Sequence, residues 1–287
     1  MIPIYKKEMR AYFTQMTGYI VLTSIILLIA IYFTFFNVYP RSPRYFEVLG
    51  SATILFFIVI PVLTMRLFAE EARHKTDQLL YTSPLSAAQI VMGKFLAATT
   101  LFLLGLATTV TFPAMLSGYG ELAVAQIFGA YLGYFLMGMC LIAVGLFISV
   151  LTDNQIIAAV ATFASLFLMF IMDALSSLAP VETVYSFAFV SAIVVAVAFI
   201  LYNSTRKAIP AIALCAVGLI MAGALYLIDD LIYYGFIMKF LNWFSVYGRY
   251  AFLINGILNV SDIVYYVSFT TLFIYLTVNV IEKRRWR

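Results

Sequence analysis

The chain has 287 residues, of which 64% are hydrophobic and 10% are charged. An average soluble domain is about 45–50% apolar and about 25% charged, so this composition excludes a soluble globular protein, as does the mean hydropathy of +1.04. The formal net charge of +4 is interpreted below as a sign of membrane topology, and it predicts no nucleic-acid partner.

Uncharged stretches divide the chain at regular intervals. Eight of them reach 18 residues or more, and they are Ala11–Pro40, Val48–Met65, Phe95–Gly120, Leu122–Thr152, Asn154–Met172, Thr183–Thr205, Ala208–Ile228 and Ile263–Ile281. Each can cross a hydrocarbon core about 30 Å thick as a helix of about 20 residues. The remaining segments are too short to fold as a soluble catalytic domain. The sequence therefore predicts an all-α polytopic integral membrane protein, with about eight transmembrane helices in a single transmembrane domain over residues 1–287.

The distribution of charged residues predicts the orientation of these spans. If both termini are cytoplasmic, 13 of the 17 Lys and Arg residues and six of the 13 Asp and Glu residues lie on the inner side. The inner side then carries a net charge of +7 and the outer side −3, which agrees with the positive-inside rule. We therefore predict cytoplasmic termini and a cytoplasmic loop over residues 66–94.

The first 16 residues have the pattern of an amphipathic helix. Its apolar residues at helical spacing are Tyr5, Met9, Tyr12, Phe13 and Met16, and its cations are Lys6, Lys7 and Arg10. Such a helix lies in the membrane interface, with its cations toward anionic lipid of the bilayer. It could serve only to anchor the first span, or it could have a mechanical role.

The predicted cytoplasmic loop is longer than a plain connection requires, since helix–helix connections usually take about 2–8 residues. It is rich in helix-forming residues up to Leu80, and Pro84 then marks a break. Ser86 followed by Gln89 is the signature of a capping box and predicts the start of the next helix. The loop is thus expected to carry a short helix exposed to the cytosol, although a solvated turn would also explain a run of charges.

Several segments together resemble a known family of membrane proteins. They are Phe68-Ala69-Glu70-Glu71-Ala72-Arg73, then Thr76, Leu79-Leu80, Ser83-Pro84-Leu85-Ser86 and Gly93-Lys94, with Thr152-Asp153-Asn154-Gln155 and Glu282-Lys283-Arg284-Arg285-Trp286 further along. These segments resemble ABC-2 type permeases of ATP-binding cassette transporters. The resemblance is to the gliding-motility-like branch and its nitrous-oxide-maturation relatives, and it keeps the order of the family's segments.

The resemblance implies a division of labour between this chain and an ATPase. It implies that residues 70–80 are the coupling helix that docks into a separate ABC ATPase subunit, and that the first 16 residues are a connecting helix packed nearby. The implied ATPase contacts are Glu70, Glu71, Arg73, Thr76, Asp77, Leu79 and Leu80, and the connecting helix contributes Lys6, Lys7 and Arg10. The chain has no G-x-x-x-x-G-K-[ST] phosphate loop, so the resemblance places ATP and Mg in the partner.

The resemblance also implies an assembly in the bacterial cytoplasmic (inner) membrane. The permease would act as a dimer, with a second permease copy or homologue and two ATPase subunits, and would serve as an exporter. An accessory subunit on the outer face is compatible with it. One departure concerns residues 183–228, which are an extra helical hairpin beyond the family's usual six spans. Residues 229–262 would then form the outer re-entrant segment that the resemblance implies, or an interfacial helix.

Other classes of function were weighed on the residues alone. An ion-coupled secondary transporter would need ionisable residues near the bilayer midplane, and eight spans can be drawn without one. A membrane enzyme would need a carboxylate pair or a metal cluster, and with His74 as the one histidine no catalytic residue and no metal site is predicted. A membrane scaffold for a surface-assembly complex is a further alternative, which would show no dependence on ATP.

Overall fold

The fold is described from a computed structural model, which covers residues 1–76, 78, 84–228 and 230–285. These residues form helices and turns without a strand among them, and the helix content is 84%. Eight helical segments in this part of the chain are long and apolar enough to cross a membrane. The predicted all-α polytopic architecture is thereby confirmed.

The helices differ widely in length, and the long ones match the uncharged stretches of the sequence. In the described part of the chain the α-helices are α1 (Ile2–Thr14), α2 (Met16–Phe33), α3 (Phe46–Ser51), α4 (Phe56–Thr64), α5 (Ala69–Arg73), α6 (Ala87–Thr108), α7 (Thr111–Met115), α8 (Val124–Leu151), α9 (Gln155–Leu178), α10 (Thr183–Thr205), α11 (Ala208–Ile228), α12 (Phe236–Phe244), α13 (Val246–Ile254) and α14 (Val260–Arg285). A π-helical turn, Thr34–Val38, extends α2, and 3₁₀ turns lie at Ala52–Leu55, Leu116–Gly118 and Asp230–Tyr233.

The chain divides into two compact units, of which the first comprises Met1–Leu168 and Val246–Arg287. Its central helix is α8, which is buried by α4, α6, α13 and α14. Burial of this kind is typical of a helix that is apolar on all sides. Gly145 of α8 lets α4 approach closely, because a Cβ atom at this position would collide with the Thr64 side chain.

The second unit comprises Met169–Ser245 and is built around a helical hairpin. α10 ends where Arg206 adopts a left-handed conformation with φ +55°, and α11 returns along it. The two helices are joined by the Phe187 and Tyr226 rings, whose centroids are 5.0 Å apart. The segment predicted as an extra hairpin is thus a pair of packed helices of nearly equal length.

The predicted outer segment 229–262 contains two short helices, α12 and α13, of nine residues each. A helix of this length covers only about 13 Å and cannot cross a hydrocarbon core. α12 is held in the second unit, where Ser176 donates a hydrogen bond to Asn242 Oδ1 at 2.7 Å. α13 belongs to the first unit and packs against α8 and α14. A re-entrant role for this segment stays a prediction.

Candidate coupling site

Several chain segments meet at one end of the first unit. Lys7 of α1 is 2.7 Å from Glu71 of α5, and Arg285 near the C terminus donates to the Leu85 carbonyl at 3.1 Å. Arg284 also lies 3.6 Å from Asp153, in the connection between α8 and α9. The N terminus, the loop after α4, the α8–α9 connection and the end of α14 are therefore at the same end.

α5 is a five-residue helix whose start is fixed by a serine from another helix. The buried Ser149 hydroxyl of α8 accepts hydrogen bonds from the backbone N–H groups of Phe68 at 3.1 Å and Ala69 at 3.3 Å. The first N–H groups of a helix have no partner within the helix, and Ser149 supplies one from outside. The start of α5 is thereby attached to the central helix of the unit.

The end of α5 is a left-handed turn. Lys75 has φ +56°, and the N–H of Thr76 donates to the Glu71 carbonyl at 2.9 Å, which is the pattern of a Schellman motif. The prediction of one continuous helix over residues 70–80 is therefore wrong, because the helix stops at Arg73. Helix propensity did not predict this turn. Its left-handed residue is Lys75, whereas such a position is usually occupied by Gly or Asn.

Glu70 pairs with an arginine at the base of α5. Arg66 contacts both oxygens of the Glu70 carboxylate, at 2.7 and 2.8 Å. The same guanidinium donates to Thr17 Oγ1 at 2.9 Å and to Gln15 Oε1 at 2.8 Å. A guanidinium can serve several acceptors at once in a fixed geometry. Arg66 therefore connects α5 with the junction between α1 and α2.

Glu71 takes part in a second and more deeply buried cluster. Lys94 of α6 is 1% exposed, and its ammonium lies 2.8 Å from Glu71 and 2.8 Å from Glu8 of α1. It also donates to the Leu67 carbonyl at 2.6 Å. Lys94 thus links α1, the segment before α5, and α5 itself to α6.

The predicted ATPase-contact residues fall into three groups. Glu70 and Glu71 face the protein and are paired with cations of the same chain. Arg73 and Thr76 are exposed, as are the neighbouring His74 and Lys75. Asp77, Leu79 and Leu80 lie outside the described residues. The structure therefore separates the acidic residues, which face inward, from the basic residues of the α5 tip.

The predicted N-terminal helix is present as α1, and its buried face overlaps only in part with the predicted apolar face. Ile4 and Tyr12 are buried, whereas Phe13 is 41% exposed. Gln15 is extended and ends α1, so Met16 belongs to α2 and is not part of the amphipathic face. Lys6 and Arg10 are exposed. α1 packs on α6 and α2, and this contact selects the face that is buried.

A cavity of about 520 Å³ lies between α1, the start of α2 and the segment 66–76. Its lining includes Tyr12, Arg66 and Lys94. Burial, and to a lesser extent the Glu8 carboxylate, raise the pKa of the Tyr12 phenol well above its ordinary value, so this group stays neutral. Within the described residues no group of three His, Cys, Asp or Glu residues could hold a metal ion.

Sequence reasoning identified Glu71 and its surface partner Lys7 but missed the buried cluster that holds Glu71. Lys94 and Glu8 were not predicted as site residues, because a lysine between an apolar helix and a polar loop is usually exposed. The start of α6 was predicted correctly, since Ser86 and Gln89 form the capping box through bonds of 3.2 and 3.3 Å. That start places Lys94 in the third turn of α6, and this position was a signal that the lysine lies inside a span.

Replacing Ser149 by Ala is expected to loosen the start of α5. The loss of such an N-cap costs about 0.5–2 kcal/mol, and here it removes the acceptor of two N–H groups. We expect faster amide hydrogen exchange in residues 68–76, with little change elsewhere. Ser165→Ala is the control, because that hydroxyl donates only to the Ala161 carbonyl of its own helix, and equal exchange in the two variants would contradict the assignment.

Comparison with family models places the site in a wider context. Residues 10–202 match the family model described as ABC-2 family transporter protein, and this range includes α5, Lys94 and Ser149. No curated protein and no solved structure matches the chain. Proteins of this family are transport subunits that generally work with an ABC ATPase partner. The chain belongs to the ABC-2 transporter family and is a multi-pass membrane permease of an ABC transporter.

Proposed function

We propose that this permease is the membrane-spanning half of an ATP-driven exporter, and that α5 with its tip receives the movement of a separate ATPase subunit. ATP and Mg bind to that subunit. The permease works with a second copy or homologue of itself, two ATPase subunits serve the pair, and the substrate moves outward by alternating access. We also propose that the chain belongs to the gliding-motility-like branch of this family.

The observation that supports the proposal is how the base of α5 is attached to the other helices. Its base is bound to α8 through Ser149, to the α1–α2 junction through Arg66, and to α6 through Lys94. Its tip is exposed, with Arg73 and Lys75 free of the inward-facing carboxylates. A small exposed element with a rigid base is suited to transmit force from a docked partner into the spans.

The proposed orientation has both termini and α5 in the cytoplasm of a bacterium, with the spans in the inner membrane. The end of the first unit that carries α5 also carries Lys6, Arg10 and Arg285. Cytoplasmic segments near span ends are enriched in Lys and Arg. The charge pattern thus supports placing α5 on the side where ATP is available.

The proposal can be tested by reversing the charge of the α5 tip. In the double variant Arg73→Glu, Lys75→Glu, we expect the ATPase subunit that copurifies from native membranes to fall by at least about tenfold, because contact residues at the centre of an interface contribute more than 1.4 kcal/mol. Both residues are exposed, so insertion and stability should change little. The measurement is quantitative mass spectrometry of the tagged permease and the proteins bound to it.

Arg44→Glu is the matched control. Arg44 is an exposed residue whose only described ion pair is a loose contact of 3.5 Å to Glu47, and it lies at the other end of the first span. Equal recovery of the ATPase with both variants would contradict the proposal. Flux that depends on a proton gradient and not on ATP would favour the secondary transporter instead, and complex formation without any ATP dependence would favour the scaffold.

A further inference from the structure

We infer that Lys94 is a positioning residue that transmits displacement of α5 to α6 and α1. This inference rests on the proposed function, since it presumes that an ATPase moves α5. It adds the route by which the movement enters the spans. The sequence motif Gly93-Lys94 thereby takes part in transmitting movement from α5 into the spans.

The Lys94 ammonium is held by groups from different elements. It donates hydrogen bonds to Glu8 Oε1 of α1 at 2.8 Å and to the Leu67 carbonyl at 2.6 Å, and it forms an ion pair of 2.8 Å with Glu71 of α5. The ammonium also lies 5.0 Å from the centre of the Phe68 ring. Lys94 is therefore bound on several sides by the segment that leads into α5.

Burial makes this link stiff. Lys94 is 1% exposed, and the Glu8 and Glu71 side chains are each 13% exposed. An unpaired buried charge is strongly disfavoured. Moving α5 without α6 would separate Glu71 from Lys94, so α6 is expected to follow α5.

Gly93, next to Lys94, allows α1 to pack directly on α6. A Cβ atom at Gly93 would lie 3.0 Å from Ile4 Cβ and 3.1 Å from the Met1 carbonyl oxygen, which is closer than most real contacts. Glycine thus permits α1 to lie directly on α6 at the point where Glu8 reaches Lys94. The surface contact from Lys7 to Glu71 is weaker, because Lys7 is 58% exposed. Of the two lysines that contact Glu71, Lys94 is therefore the buried one.

The test compares movement at the α5 tip with movement in α6. The full permease with its copurified ATPase subunit is placed in lipid nanodiscs and carries an environment-sensitive fluorophore at one cysteine, either His74→Cys or Leu104→Cys. Both positions are exposed, Leu104 lies on α6, and Cys215→Ser removes the accessible native thiol. Mg-ATP with orthovanadate is the probe that closes the ATPase.

The decisive variant removes the charges together. Lys94→Met alone removes the cation from Glu8 and leaves Glu71 with the surface contact to Lys7, which disfavours folding. The triple variant Glu8→Gln, Glu71→Gln, Lys94→Met is therefore used, and gel filtration verifies that it is folded. Replacing a complete buried ionic cluster is often tolerated. Arg44→Met with Glu47→Gln is the matched control, and Lys94→Arg is the conservative variant that should restore transmission.

The inference predicts that the nucleotide-dependent signal at position 74 persists in the triple variant while the signal at position 104 is lost. The control pair should keep both signals, and Lys94→Arg should keep a signal at position 104. An unchanged signal at position 104 in the triple variant would overturn the inference and leave the proposed function intact. Absence of any signal at position 74 in the complex without cluster substitutions would overturn the proposed function and the inference with it.

Discussion

Replacing Lys94 by Met is expected to lower the free energy of unfolding by about 3–5 kcal/mol, which is the usual cost of removing one partner from a buried ionic cluster. The cause is that Glu8 and Glu71 would remain close together without their shared cation. The measurement is an unfolding titration of the purified permease in mixed detergent. Lys75→Met serves as the control, because Lys75 is exposed, and surface replacements usually stay within about 0.5 kcal/mol.

The comparison of single and combined variants separates charge from volume. If unpaired carboxylates cause the loss, Glu8→Gln and Glu71→Gln added to Lys94→Met should recover most of the stability. If Lys94 acts mainly through packing of its aliphatic chain, the triple variant should be as unstable as the single one. That second result would contradict the ionic description of the cluster.

Replacing Gly129 by Ala is expected to destabilise the first unit, although Ala is the better helix former. A Cβ atom at Gly129 of α8 would collide with the backbone carbonyl oxygen of Leu253 in α13, so one of the two helices must shift. Overpacking of this kind costs about 1–3 kcal/mol, which exceeds the gain of about 0.5–1 kcal/mol from replacing a helical glycine. Release of α13 should also speed tryptic cleavage after Arg249.

For Gly223→Ala, which also replaces a glycine inside a long helix, we expect the opposite effect on stability. Gly223 lies inside α11, and among the described residues no atom beyond its chain neighbours and the nearby backbone of its own helix comes within 4 Å of the position where its Cβ would be. The added methyl group should therefore leave the stability unchanged or raise it. The two variants are compared by the same unfolding titration and by the rate of proteolysis, and a stabilising effect of Gly129→Ala would contradict the close approach of α13 to α8.

The sequence alone was sufficient for features that depend on local pattern. Uncharged stretches predicted the spans, because the bilayer requires length and apolar composition and little else. Ser86 and Gln89 predicted the start of α6, because a capping box is a contact between near neighbours in the chain. The hairpin of α10 and α11 was recognisable for the same reason, since a short polar connection joins two spans of similar length.

Features of the site that depend on distant contacts could not be predicted in this way. The sequence shows Glu8, Glu71 and Lys94 as three ordinary charges in separate segments. Only tertiary packing brings the Lys94 ammonium to 2.8 Å from each of the two carboxylates. Ser149 lies in the middle of an apolar stretch, where a serine gives no sign that it caps a helix 80 residues away. The face of α1 that is buried is likewise decided by its contact with α6.

The central claim is that the tip of α5 engages an ATP-hydrolysing subunit, and photo-cross-linking from position 75 in native membranes tests it most directly. A photoreactive amino acid replaces Lys75, and the same probe replaces Tyr39 at the other end of the first span as a control, since Tyr39 is 76% exposed. If α5 engages the ATPase, we expect an adduct with a nucleotide-binding subunit from position 75 and none from position 39. Adducts from position 75 that contain only outer-face proteins or lipid, or an ATPase adduct from position 39, would contradict it.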